Sequence, residues 1–224
     1  MKKQDTMKSI IFKLMLSSSC IEEIGLFRGK IGISLFFFML SRSSGKKMYQ
    51  KFGEKLVEES LQDISEDCPI RFDNGLLGIG FAFSYFATNG FLKLGDDFFQ
   101  EIDEKLEQLD VSMISNHTIE DGLAGIGCYV IARIYLNPGY KVVQKKFINE
   151  VSSALLRSND KVCRKLFYFI NCTELLNINP IDTILKEYVI KKTTSTREEF
   201  GLHRGLAGHA VYLLKDIYHE NYNL

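Results

Sequence analysis

"IEDGLAGIGCYVIAR", residues 119–133, sets Gly122, Gly125 and Gly127 at the head of a segment that otherwise reads as a buried helix. Glycine is worse than alanine in a helix by about 1 kcal/mol, so three together need a reason beyond helical propensity. The phrase recurs as "RGKIGISLFFFML" at 28–40, "NGLLGIGFAFSYF" at 74–86 and "RGLAGHAVYLL" at 204–214. Its first glycines, Gly29, Gly75, Gly122 and Gly205, stand 46, 47 and 83 residues apart, and Gly32, Gly78, Gly125 and Gly208 each follow three later. The last interval is close to two periods. "KVCRKLFYFINCTELL", 161–176, fills it as a copy without glycines, with Lys165 at the glycine position. A period of this length suits a helical hairpin and marks a repeat architecture.

Amphipathic, charged stretches separate the phrases: "KKMYQKFGEKLVEESLQDI" (46–64), "DDFFQEIDEKLEQLDV" (96–111), "YKVVQKKFINEVSSALLR" (140–157) and "IDTILKEYVIKK" (181–192). In the second, Phe98, Phe99, Ile102, Leu106 and Leu109 recur at helical intervals, with charges on the other face. These read as outer helices. The segments behind each GxxG are apolar all round and read as buried inner helices. Strand signals are nearly absent, so the expected fold is all-α, one domain over 1–224 made of five outer–inner hairpins, the N-terminal helix being the first outer member.

Within GxxG the two glycines share one side of a first helical turn, where a neighbouring backbone can approach closely. Glycine also permits positive φ where the chain turns into the helix. Asp73-Asn74 and Asp121 stand where N-caps belong. Gathered at one end, the inner-helix N-termini would present unpaired N–H groups and partial positive charge to a shared opening, the expected binding site.

The bulk properties exclude other classes. With 28 Lys+Arg against 28 Asp+Glu the formal net charge is zero, which argues against nucleic acid and acidic membranes as partners. No apolar run approaches the roughly 20 residues of a membrane span, Ile31–Leu40 being the nearest. "MKKQDTMKSIIFKLMLSSSC" resembles a weak lipoprotein signal, but Lys13 interrupts it and Ile10, Ile11, Leu14 and Met15 share a helical face. Five cysteines with no CxxC pair read as reduced thiols in a cytoplasmic protein.

Four GxxG phrases ("GKIG", "GLLGIG", "GLAGIG", "GLAG") at near-constant period, each followed by an aromatic-rich helix, resemble the lanthionine synthetase C-like family over nearly the whole chain. The resemblance implies an α/α toroid of helical hairpins and a place in lantibiotic-type peptide modification. The family's cyclases hold zinc through one Cys and a later adjacent Cys-His, and the zinc activates a peptide thiol for thioether formation. Here "GLHRGLAG" puts His203 at the second Cys and Arg204 at the His, while Cys163, two residues before Lys165, matches the first Cys. His209 is a third candidate ligand. Arginine cannot bind a metal, so the expectation is a degenerate member without zinc that binds a peptide or a partner enzyme, with Arg204, Asp121 and Asp73 at the opening and Arg204 taking an acidic group. A zinc-dependent cyclase using Cys163, His203 and His209 is the alternative. A second alternative is a carbohydrate-active α/α-toroid enzyme, whose carboxylates would have to come from Asp73, Glu120 and Asp121. Five hairpins are fewer than the family's six or seven, so an open array would leave the first and last inner helices with uncovered apolar faces, available for self-association.

Overall fold

The structure is a computed structural model that describes residues 2–95, 97–172, 178–191 and 199–218. It is all-α: among the described residues the only extended pairing is an isolated bridge between Lys191 and His203. Asp96, residues 173–176 of the copy without glycines, Lys192 and the chain end from 219 lie outside the described residues.

The chain forms two compact units, residues 1–68 with 185–224 and residues 69–184. The first holds α1 (Lys2–Ser17), α2 (Lys30–Ser44) and α3 (Lys47–Gln62), and the second holds α4 (Leu76–Thr88), α5 (Gln100–Glu107), α6 (Leu123–Leu136), α7 (Tyr140–Val143), α8 (Lys145–Arg157), α9 (Lys161–Cys172) and α10 (Pro180–Ile184). A π-helical turn, Leu185–Val189, returns the chain to the first unit, which ends with α11 (Leu206–Tyr218).

The inner and outer roles follow the hydrophobic pattern. Every residue of α2 from Lys30 to Ser41 and of α4 from Leu76 to Phe86 is buried, whereas α3 buries only Gly53, Leu56, Val57 and Ser60. In the first unit α2 packs on α3 and on α11, and α11 also takes α1. The inner helices of the first and last copies thus cover each other, which corrects the expectation that both are left with bare apolar faces. In the second unit α6 is central, against α4, α8, α9 and α10.

Two elements depart from the pattern. The outer helix expected over 140–157 breaks at Gln144 into α7 and α8. Helix α9, expected to be inner, buries one face only, through Cys163, Leu166, Phe169 and Ile170. Lys161, Arg164 and Lys165 supply the reason: a face carrying three cations stays in water. Its N-terminus is capped by a side chain, Asp160 Oδ1 accepting from the N–H groups of Val162 (2.8 Å) and Cys163 (3.0 Å).

Candidate functional site

The four glycine-headed helices begin in one way. The first helical N–H donates to a carbonyl seven residues earlier: Lys30 to Glu23 (2.9 Å), Leu76 to Pro69 (2.9 Å), Leu123 to Asn116 (2.9 Å) and Leu206 to Glu199 (2.7 Å). In two copies the next two N–H groups repeat the offset, Ile31 to Ile24 and Gly32 to Gly25, Ala207 to Phe200 and Gly208 to Gly201, and in α4 Gly78 donates to Arg71. Each preceding loop therefore doubles back and lays its carbonyls over N–H groups that a helix start leaves without intrahelical partners. That corrects the picture of unpaired N–H groups facing an opening: the loop backbone already occupies them.

The glycines are what lets the loop lie so close. A Cβ on Gly75, Gly122 or Gly205 would sit 2.1, 2.5 or 2.5 Å from the oxygen of Pro69, Asn116 or Gly201. On Gly32, Gly125 and Gly208 it would sit 2.1, 2.4 and 2.0 Å from the oxygen six residues back, of Leu26, Ile119 and Leu202, and on Gly29 it would be 2.3 Å from Gly25 N. Positive φ plays no part. Gly29, Gly75 and Gly122 have φ of −91°, −158° and −123°, and the glycines with positive φ are Gly45 and Gly90.

In the first unit the loops before α2 and α11 lie side by side. His203 N donates to Phe27 O (2.9 Å), the His203 ring stacks on Phe27 with centroids 4.4 Å apart, and a Cβ on Gly201 would fall 2.4 Å from Arg28 Cα. His203 Nδ1 lies 3.2 Å from Val189 O and, facing a carbonyl, carries the proton. Arg204 is exposed with φ 61°, and its N–H donates to Lys191 O (3.1 Å). It is the one described non-glycine residue with positive φ. His209 lies half-buried in the first turn of α11, its N–H bonded to Gly205 O.

In the second unit the loops before α4 and α6 meet through Phe72 N and Asp73 N, both donating to Glu120 O (2.8 and 3.0 Å). Asp73 and Asp121 are not N-caps, which corrects that expectation; the N-caps are Gly75 and Gly122 themselves. Asp73 takes a bidentate pair from Arg71 (2.9 and 2.7 Å). Asp121 Oδ1 accepts from Asn116 Nδ2 (2.7 Å) and Thr118 Oγ1 (2.9 Å), and these bonds hold its carboxyl below the ordinary carboxylate range. Hydrogen bonding and charge from Asp73, with Asp121 and Glu120 adding, push the Arg71 guanidinium above its ordinary value. The three acids considered for sugar chemistry thus gather about one arginine.

Cys163 belongs to this second unit and His203 and His209 to the first. Cys163 is fully buried, its Sγ 3.8 Å from His117 O, and burial pushes its thiol pKa up, away from the thiolate a metal needs. Beside it Ser158 Oγ lies 3.1 Å from His117 Nδ1 and accepts from Asp160 N (3.1 Å). Among the described residues no three His, Cys, Asp or Glu side chains are grouped to hold a metal ion.

The sequence reading missed a buried polar network in the second unit. Asp103 accepts from Tyr129 OH (2.6 Å), Tyr140 OH (3.1 Å) and Arg133 Nη2 (2.9 Å), and the Arg133 guanidinium lies over the rings of Phe99 and Tyr140. Burial raises both tyrosine pKa values, with the Asp103 charge adding. The signal was present, since Asp103 shares the apolar face of its helix with Phe99, Ile102 and Leu106. A cleft of about 620 Å³ opens beside it, with Glu104 and Glu107 engaged by the amides of Gln100 and Gln144. Comparison of the sequence with protein-family models and with curated proteins finds no match.

Proposed function

We propose that the chain is a lanthionine synthetase C-like protein that binds a peptide, or an enzyme carrying one, on the glycine loops of its first unit and does not itself close thioether rings. The observation that carries this reading is the loop-over-helix start repeated in four copies, which ends in the last copy on the exposed Arg204, where the family's cyclases have a histidine ligand. The toroid that the resemblance implies belongs to the same proposal.

Zinc does not suit these residues. Arg204 has no lone pair to give and places a permanent positive charge where the ligand belongs. Cys163 is a buried, high-pKa thiol. His203 would have only Nε2 to offer, and even with His209 of the same unit the count reaches two, short of the three protein ligands of a catalytic zinc. The test is elemental analysis of protein purified without chelator, beside Cys163→Ser. The expected result is no stoichiometric zinc in either; about one zinc per chain, lost in the variant, would replace this reading with the cyclase.

A further inference from the structure

The loops before α2 and α11 share more than their geometry. Residues 23–29 read "EIGLFRG" and residues 199–205 read "EFGLHRG", so Glu, Gly, Leu, Arg and Gly recur in register. Four of the five have a structural use. The carbonyls of Glu23 and Glu199 cap their helices, those of Leu26 and Leu202 press on Gly32 and Gly208, those of Gly25 and Gly201 accept from Gly32 and Gly208, and Gly29 and Gly205 begin the helical start. The arginine side chains have none: beyond the backbone bond of Arg204 N–H to Lys191 O, Arg28 and Arg204 are exposed, and neither side chain makes an ion pair among the described residues. The matching positions in the second unit hold Asn74 and Asp121, so the cation is not a requirement of the loop.

The two loops that carry these arginines touch. Phe27 and His203, the residues just before them, are joined by a backbone hydrogen bond of 2.9 Å and by stacked rings, and a Cβ on Gly201 would fall 2.4 Å from Arg28 Cα. Arg204 also holds a left-handed conformation that glycine or asparagine adopts at less cost, and a residue kept there against that preference points to use of its side chain. Glu23 and Glu199 are exposed at the start of the same loops, five residues before each arginine.

We propose that Arg28 and Arg204 form a two-arginine clamp for the carboxylates of an acidic peptide segment. The clamp rests on the reading of the chain as a peptide-binding protein and names the chemistry of the peptide. Guanidinium is the side chain for this, since its planar fork meets a carboxylate with two parallel hydrogen bonds.

The experiment is binding of fluorescein-labelled hexaglutamate to the full chain at low ionic strength, followed by anisotropy. Arg28→Ala and Arg204→Ala should each weaken binding by about fivefold, the scale of one exposed charge pair. The double variant should lose less than the product of the two, and Arg28→Lys should retain part of the affinity. Lys51→Ala, which removes an exposed charge elsewhere in the unit, should bind as the native chain does. Unchanged melting curves show that the fold survives, as expected for exposed side chains. If Arg204→Ala weakens binding and Arg28→Ala does not, the clamp is wrong and the peptide-binding reading stands. If hexaglutamate does not bind, or Lys51→Ala matters as much as Arg28→Ala, the clamp falls. If zinc is then found with Cys163, the wider reading falls with it.

Discussion

Gly125→Ala tests why the glycines are there, and Gly127→Ala, two residues on in the same buried helix, is its control. Both changes add one methyl and improve helix propensity by up to about 1 kcal/mol. Their surroundings differ. On Gly125 the new Cβ would stand 2.4 Å from Ile119 O and 2.8 Å from Phe72 Cβ, where real Cβ atoms essentially never come within 3.0 Å. The oxygen belongs to the backbone of the loop that caps α6, so the loop has to move. Movement strains the Leu123-to-Asn116 bond (2.9 Å) and the Phe72-to-Glu120 bond (2.8 Å), each of which contributes about 1 kcal/mol. On Gly127 the nearest atoms are methyl ends of Leu155 and Leu166 at 3.2 and 3.3 Å, which can rotate by a few tenths of an ångström. Gly125→Ala should therefore cost about 1–3 kcal/mol, and Gly125→Leu should reach the top of that range, while Gly127→Ala should stay within about 1 kcal/mol of the native chain. In a chain of this length that is a fall in Tm of about 3–10 °C for Gly125→Ala. Circular dichroism melts and urea midpoints measure it. If Gly125→Ala is as stable as Gly127→Ala, loop proximity is not why the glycine is needed.

Three further outcomes are expected. Arg204→Gly should raise Tm slightly, because glycine relieves a left-handed residue worth about 1 kcal/mol, while weakening the anion binding argued above by about fivefold, as Arg204→Ala does. Asp103→Ala should cost about 3–5 kcal/mol by leaving the Arg133 charge buried and unpaired, and Asp103→Leu with Arg133→Met should cost less than Asp103→Ala alone in urea unfolding. Asp121, whose folded-state pKa is depressed, stabilises the fold above its unfolded pKa of about 3.9 and loses that contribution as pH falls through the folded value. The Tm gap between native chain and Asp121→Asn should accordingly be open at pH 7 and close as the pH drops below about 4.

Helix positions were legible because burial writes itself into periodicity: α2, α4 and α6 are apolar on every side, and α3 and α8 on one. Helix starts were half legible. The glycines marked them, but the side-chain rule that makes Asp73 and Asp121 into caps could not see that a backbone carbonyl seven residues earlier does the capping, because a carbonyl has no letter in the sequence. What remained visible was its shadow, the missing Cβ on Gly75, Gly122 and Gly205. The copy at 161–172 makes the same point in reverse. Without glycine its helix cannot accept a loop so close, and Asp160 supplies the cap by the side-chain route that had been expected of Asp73 and Asp121. The four glycine-headed helices and α9 thus start by one of two devices, a loop carbonyl or an Asp side chain over the first N–H groups. The four glycine starts carry backbone over their first N–H groups, which is why the clamp proposed for the first unit is built from side chains, Arg28 and Arg204, and not from helix N-termini.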